Sequence, residues 1–289
     1  MTTASPLGGI FTLRGTSLVL KRIGYGAMQL PGPHAWGPPR DKNAAIAVLR
    51  EAMALGANHI DTAEFYGPEV SNQLIREAIA PYPGDLVIVT KVGAVRGNDG
   101  SWLLERTPES LTRQVHENLR SLGLDALDVV NLRLGGRQGP DDSSLAEPLA
   151  ALMRLQRQGL VRHIGLSCVS PAQFAEAESM VNIVCVQNHY NLVHRIDDNF
   201  IDSLADKGVA YVPYFPLGGF SPLRSPVLSD VARELGATPR QVALAWLLQR
   251  SPNILLIAGT SSVDHLRENF AAADVMLSPR HLAMLETLR

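Results

Sequence analysis

Cysteine is nearly absent, with only Cys168 and Cys185 in 289 residues. Both fall in strand-like segments, where they read as reduced core thiols rather than a disulfide. Aromatics are sparse at 6%, and no block of like charge breaks a formal balance of −2. That balance excludes a nucleic-acid or polybasic membrane function. No apolar run approaches the length of a spanning helix, and the opening MTTASPLGGI lacks a signal-peptide hydrophobic segment. A cytoplasmic protein is therefore expected. Histidines 34, 59, 116, 163, 189, 194 and 281 show no metal-ligand spacing among themselves or with the cysteines, so no metal is expected. A serine nucleophile elbow is missing. The stretch Gly24-Tyr25-Gly26-Ala27-Met28-Gln29 lacks the third glycine of the open-sheet dinucleotide fingerprint.

What the chain does have is alternation. Short apolar runs at Ile23–Gly26, His59–Asp61, Leu86–Lys91, Asp128–Leu132, His163–Ser167, Val184–Gln187, Ala210–Tyr214 and Ile254–Ile257 read as strands buried on both faces. Amphipathic stretches separate them, among them Ala44–Leu55, Leu145–Gln158, Pro171–Ser179, Asn199–Lys207 and Pro239–Arg250. Thr107-Pro108 opens another helix with a cap and a first-turn proline, and Pro279–Leu288 closes the chain. Eight such units over this length predict an α/β fold, a (β/α)8 TIM barrel. Residues 11–22, with a turn at Gly15, predict an N-terminal β-hairpin ahead of it. No linker or low-complexity tract divides residues 1–289, which read as a single domain. The longest loops, Pro31–Arg40, Ala94–Arg106, Gly135–Ser144 and Gly218–Ser225, follow strands one, three, four and seven. All four belong to the carboxyl-terminal face, where barrels build their sites.

Four polar residues end or closely follow apolar runs: Asp61, Tyr66, Lys91 and Arg133. Lys91 closes Leu-Val-Ile-Val-Thr-Lys, a run too apolar to leave an ammonium without a partner. Asp61 on the neighbouring strand is the nearest carboxylate. A phenol beside such an ammonium has its anion favoured, so the Tyr66 pKa is expected to fall and the side chain to become a usable acid. A barrel-end ion pair with no chemistry is the plainer alternative for Asp61 and Lys91.

The chain resembles the aldo-keto reductase superfamily. The resemblance runs through GANHIDTAEFYGPEVSNQLIREAI (56–79), VIVTKVG (87–93), VRHIGLS (161–167), VQNHYNL (186–192), PYFPLGG (213–219) and AWLLQRSPNILLIAGTSSVDHLRENFAAA (245–273). It implies an NADPH-dependent carbonyl reductase on a barrel with an extra N-terminal hairpin. On that basis Tyr66 protonates the carbonyl oxygen, Lys91 tunes Tyr66, and Asp61 holds Lys91. Family members usually carry histidine where this chain has Arg133, a fixed charge with a planar fork of donors. Arg133 would grip the carbonyl oxygen or an anionic substrate group. TKVGAVRGNDGSW (90–102) and LDALDVVNLRLGG (124–136) resemble the bacterial branch that includes pyridoxal reductases. That implies pyridoxal as substrate, with Trp36, Phe65 and Trp102 expected around the substrate.

Cofactor contacts follow from the same resemblance. Gly26 and Met28 are expected beside the nicotinamide ribose, with Asp61 close by. Ser167 and Gln187 would hold the carboxamide, although Cys168 stands where asparagine is frequent. Tyr214 would stack on the nicotinamide, and Leu217 and Gly218 would approach the pyrophosphate through their backbone. Gly259, Thr260, Ser261, Ser262, His265, Glu268 and Asn269 match the adenosine site, at a helix start suited to phosphate. Lysine and arginine are common in the family where Gly259 and His265 stand here. The chain is expected to be a monomer or weak homo-oligomer acting on a small carbonyl compound, with neither nucleic acid nor membrane as partner. A sensor or partner subunit that binds NADPH with little turnover is the second reading. A Schiff-base lyase using Lys91 is the third.

Overall fold

The computed structural model describes residues 8–136, 139–141, 143–219 and 223–288. The expected loops 135–144 and 218–225 therefore lie partly outside the described residues, as does most of the opening segment.

The hairpin forms as predicted. Strands β1 (Ile10–Thr12) and β2 (Val19–Lys21) pair antiparallel, with Phe11 opposite Leu20. Leu13 and Leu20 turn inward onto Val87, Val89, Val129, Val184 and Leu255, so the hairpin plugs one end of the barrel. Asn58 ties it down by accepting from the Lys21 amide and donating to the Val19 carbonyl.

Seven parallel strands make the barrel wall. They are β3 (Tyr25–Gly26), β4 (His59–Asp61), β5 (Val87–Val92), β8 (Leu127–Arg133), β9 (Val161–Ser167), β10 (Ile183–Gln187) and β11 (Ala210–Tyr211), adjacent in that order. The eighth expected strand, Ile254–Ile257, is reduced to two parallel bridges, Tyr211 with Ile254 and Ile23 with Leu256. Those two bridges join β11 to the segment before β3 and close the ring. The expected loop after β5 contains a second hairpin, β6 (Ala94–Arg96) with β7 (Trp102–Leu104).

Helices alternate with the strands. The first five are α1 (Lys42–Ala54), α2 (Val70–Ile79), α3 (Pro108–Leu122), α4 (Ala146–Arg157) and α5 (Pro171–Met180). The rest are α6 (Asp198–Asp206), α7 (Pro226–Leu235), α8 (Pro239–Arg250), α9 (Val263–Phe270) and α10 (Pro279–Glu286). Their starts are written in the sequence. Thr107 accepts from the Ser110 amide ahead of Pro108, and Ser170–Gln173 and Thr238–Gln241 form capping boxes. All six residues of β5 are buried, as expected for a strand covered on both faces. Among the described residues no helix is long and apolar enough to cross a membrane.

Candidate active site

Parallel register aligns the strand ends. Asp61 closes β4 opposite Val89 of β5, and Lys91 lies two residues further along, opposite Asn131 of β8. The Lys91 ammonium therefore reaches back over Asp61, with Nζ 2.6 Å from Oδ1 and 2.9 Å from the Thr62 carbonyl oxygen. Gln187 of β10 donates from Nε2 to the other carboxylate oxygen at 2.7 Å. Both charged side chains are almost wholly buried, at 3% and 5% exposure. Such a pair adds little to stability by itself, because desolvation consumes most of the attraction. Burial would lower the Lys91 pKa, but Asp61 and Tyr66 together outweigh it and the ammonium is held above its ordinary range.

Tyr66 returns to this pair through the turn after β4, where its amide donates to the Ala63 carbonyl. The Lys91 nitrogen lies 5.1 Å from the centre of its ring. The expected fall in the phenol pKa is corrected by the structure. Burial pushes Tyr66 above its usual value, and the opposing pull of Lys91, aided by Arg133, does not cancel it. At neutral pH the phenol therefore carries its proton, as a donor must.

Arg133 ends β8, in register with Ser167 of β9. Its guanidinium carbon stands 5.9 Å from the centre of the Tyr214 ring, and Nη2 donates to the Gly136 carbonyl at 3.3 Å. Its charge is felt at both Tyr66 and Cys168. The arginine is thus held at the strand end rather than turned away from the site.

A groove of about 130 Å³ runs past Asp61, Tyr66 and Tyr214. Its walls include Gly26, Met28, Asp61, Tyr66, Gln187, Tyr214, Leu217 and Gly259. Gly26 and Gly259 touch back to back: a Cβ on Gly259 would come within 2.4 Å of the Gly26 carbonyl oxygen. Gly218 closes a tight turn, donating its amide to Phe215 at φ +91. Ser167 is fully buried, in register with Gln187, and its hydroxyl has no hydrogen-bond partner among the described residues. Cys168 adopts a left-handed φ of +58 and places its sulfur 3.7 Å from the Tyr214 hydroxyl.

At the far end, Ser262 caps α9 by accepting from the His265 amide, and Thr260 Oγ1 accepts from the Ser262 amide. Ser261 and His265 are exposed, and Asn269 is buried with its side-chain oxygen unpartnered among the described residues. Glu268 is engaged elsewhere, accepting from Thr238 at 2.6 Å and pairing with Arg240. The aromatic residues divide as well. Phe65 and Trp102 pack edge-on to each other at 5.3 Å, and both meet the Tyr66 ring. Trp36 is 38% exposed, with the Arg96 guanidinium 5.0 Å from its ring centre.

The aldo/keto reductase family model matches residues 22–289. The chain belongs to the aldo/keto reductase family. It is similar to the pyridoxine 4-dehydrogenase of Escherichia coli, 63% identical over 278 residues and 96% of each chain. Among solved structures it is similar to a thermostable aldo-keto reductase in complex with the inhibitor epalrestat. That match has a TM-score of 0.82 and 30% identity, covering 97% of this chain and 99% of the other. It is also similar to an aldo-keto reductase from Klebsiella pneumoniae in complex with NADPH. There the TM-score is 0.79 at 26% identity, over 96% and 95% of the chains. As a member of this family the protein is an oxidoreductase of carbonyl groups whose cofactor is NADP(H).

The groove suits that cofactor. The unpartnered Ser167 hydroxyl lies beside Gln187 at the strand ends, as an amide recognition group should. The bare backbone at Gly26 and Gly259 leaves an unobstructed wall. Amides at the capped start of α9 suit an anion.

Some contributors carry no sequence signal. Thr62 accepts from Lys91 through its carbonyl, a role any residue type fills, so only the fold reveals it. Behind it Thr62, Asn72, Asn118, Ser121 and Thr90 form a closed set of buried hydrogen bonds joining α2 and α3 to the strand ends. Gln187 is the partial surprise: expected to face the cofactor, it also anchors Asp61.

Proposed function

We propose that Tyr66, Lys91, Asp61 and Arg133 form the reaction centre of a reductase whose substrate is a flat aromatic aldehyde, pyridoxal in the first place. The Lys91–Asp61 contact of 2.6 Å, buried beside the Tyr66 ring, carries this reading. The cofactor, when bound, supplies hydride to the carbonyl carbon. Tyr66 then gives its hydroxyl proton to the carbonyl oxygen, and the adjacent ammonium stabilises the phenolate left behind. Asp61 keeps Lys91 charged and in place, and Gln187 keeps Asp61 from rotating. Arg133 donates to the substrate oxygen or to the ring's phenolic group from the β8 end. Tyr214 offers its face to the nicotinamide, while Ser167 and Gln187 hold the carboxamide. The start of α9 takes the adenosine phosphate, with Thr260, Ser261, Ser262 and His265 around it. Asn269 lies beneath them, whereas Glu268 braces α8.

Support for the substrate comes from the similarity to the pyridoxine 4-dehydrogenase of Escherichia coli. A single domain that acts as a monomer or weak oligomer in the cytoplasm completes the proposal, in keeping with two free buried thiols. The test is to follow loss of NADPH absorbance with pyridoxal and with simple aldehydes, for the wild type and Arg133→His. Pyridoxal turnover that Arg133→His weakens more than simple-aldehyde turnover is the expected result. A wild type that binds NADPH but consumes it with none of the aldehydes leaves a cofactor-binding sensor instead.

A further inference from the structure

The site described above uses neither Arg96 nor the strained turn it holds. Arg96 ends β6 and stands cross-strand from Trp102 of β7. Its guanidinium carbon lies 4.4 Å from the Trp102 ring centre and 5.0 Å from that of Trp36. All three nitrogens donate to main-chain carbonyls. Nε and Nη2 reach Gly100 at 3.1 and 2.8 Å, and Nη1 reaches Ala35 at 3.0 Å and His34 at 3.3 Å.

The two carbonyls gripped from outside the hairpin belong to consecutive non-glycine residues with left-handed backbone, His34 at φ 60 and Ala35 at φ 56. L-residues rarely adopt that conformation, and it persists where surrounding bonds impose it. The Ala35 carbonyl also accepts from the amide of Gly67, the residue after Tyr66, at 3.0 Å. Three segments therefore meet at one carbonyl oxygen: the loop after β3, the β6–β7 hairpin and the Tyr66 turn. Trp102, stacked near the guanidinium, presses edge-on against Phe65 at 5.3 Å, and its centre lies 6.3 Å from that of Tyr66.

We propose that Arg96 is a positioning residue that sets the width of the substrate pocket, fixing Trp102 and the 34–35 turn against the Tyr66 segment so that flat aromatic aldehydes are favoured. The inference rests on Tyr66 being the reacting phenol, as proposed above. A planar fork with several donors suits this task and a lysine does not, since one ammonium cannot hold three carbonyls while stacking on indole. Loosening the wall leaves the chemistry of Tyr66 in place. It removes a surface that an aromatic ring uses and a short aliphatic chain does not.

The experiment compares nitrobenzaldehyde with propanal as substrates for wild type, Arg96→Met and Arg96→Lys, with NADPH saturating. Arg96→Met is expected to raise KM for nitrobenzaldehyde about tenfold with kcat changed less than about threefold, while the propanal constants stay within about twofold. Arg96→Lys is expected to follow Arg96→Met. Equal losses on both substrates, or full rescue by lysine, would overturn the proposal. Should Arg96→Met fail to fold, Trp102→Leu removes the wall and leaves the guanidinium bonds intact; an unchanged preference between the two aldehydes there would also overturn it. A wild type inactive on both aldehydes and on pyridoxal removes the functional reading and this inference with it. Wild-type activity with an unmoved preference in the variants removes the inference alone.

Discussion

At the ends of β4 and β5, two opposite charges lie 2.6 Å apart with each remaining direction occupied: Thr62 on the ammonium, Gln187 on the carboxylate, Tyr66 alongside. At the start of α9, just past the Gly259 wall of the groove, stand an exposed imidazole and three hydroxyl side chains, one of them the helix cap. The first region is dry, and each polar group there has one position it can occupy. The second is wet, and the arginines on and against α9, Arg267 and Arg240, are already paired with Glu51 and Glu268. The contrast matches the demands on each. Proton transfer requires atoms placed to within fractions of an ångström in low dielectric, whereas holding a phosphate tail requires donors and a favourable field.

If the dry corner does the chemistry, its removal should be far costlier than any change at the wet end. Tyr66→Phe deletes the proton donor and keeps the ring that packs on Phe65 and Trp102. Turnover is expected to fall more than about 100-fold while NADPH affinity, read by fluorescence quenching, stays nearly intact. A kcat close to wild type would dissolve the distinction between the two regions. Asp61→Asn tests the same corner through stability. It leaves Lys91 buried beside a neutral amide, a change that costs about 3–5 kcal/mol when one partner of a buried pair is lost. A melting temperature unchanged by Asp61→Asn would mean that water reaches Lys91.

This difference also governs what could be read before the fold was known. Strands announced themselves because parallel strands buried on both faces are short and unbroken in apolar character, and β4 matches its expected bounds, His59–Asp61. Helix starts were legible at Thr107-Pro108, and the expected starts at Pro171 and Pro239 match α5 and α8, whose capping boxes stand just ahead of them. The eighth strand was placed at Ile254–Ile257, where both bridges fall, but its reduction to those bridges was not legible, since pairing there depends on closure by residues far along the chain. Nor was the β6–β7 hairpin, whose polar loop conceals a cross-strand pair of arginine and indole. In the site, the residue types of Asp61, Tyr66 and Lys91 pointed to their meeting, but the net direction of the Tyr66 pKa did not follow from them. A charge partner is visible in sequence, whereas the degree of burial that outweighs it belongs to the assembled barrel. The Gly259 position shows the converse. The family resemblance points to lysine there, whereas the backbone of Gly26 leaves no room for any side chain.

The wet end can be sharpened by adding a fixed charge. His265 is exposed one turn into α9, where a cation would face a phosphate held by the helix start. His265→Arg is expected to increase the preference for NADPH over NADH about fivefold, the range of one solvent-exposed charge-assisted contact. Separate titrations with the two cofactors measure it. An equal gain for both would place the arginine on the shared pyrophosphate.

The smallest expected effect lies beside the dry corner and shows where its wiring stops. Glu64, two residues before Tyr66, is mostly buried with Glu117 and Glu69 as its charged neighbours. Burial first, then those two charges, push its carboxyl up to about 7, and Arg120 opposes them only in part. An unfolded glutamate releases its proton near 4.5. The folded chain therefore prefers Glu64 protonated, and the stabilisation is whole below about pH 4.5 and declines as pH rises through 7. Glutamine mimics the protonated form at every pH. Glu64→Gln should thus leave the melting temperature unchanged near pH 5 and raise it by roughly 3 °C near pH 8.5, as about 1 kcal/mol does in a chain of this size. Thermal melts at the two pH values check the sign. A loss at high pH would mean that the Glu64 carboxylate is anchored like Asp61, and that the fully partnered region extends one turn further than Tyr66.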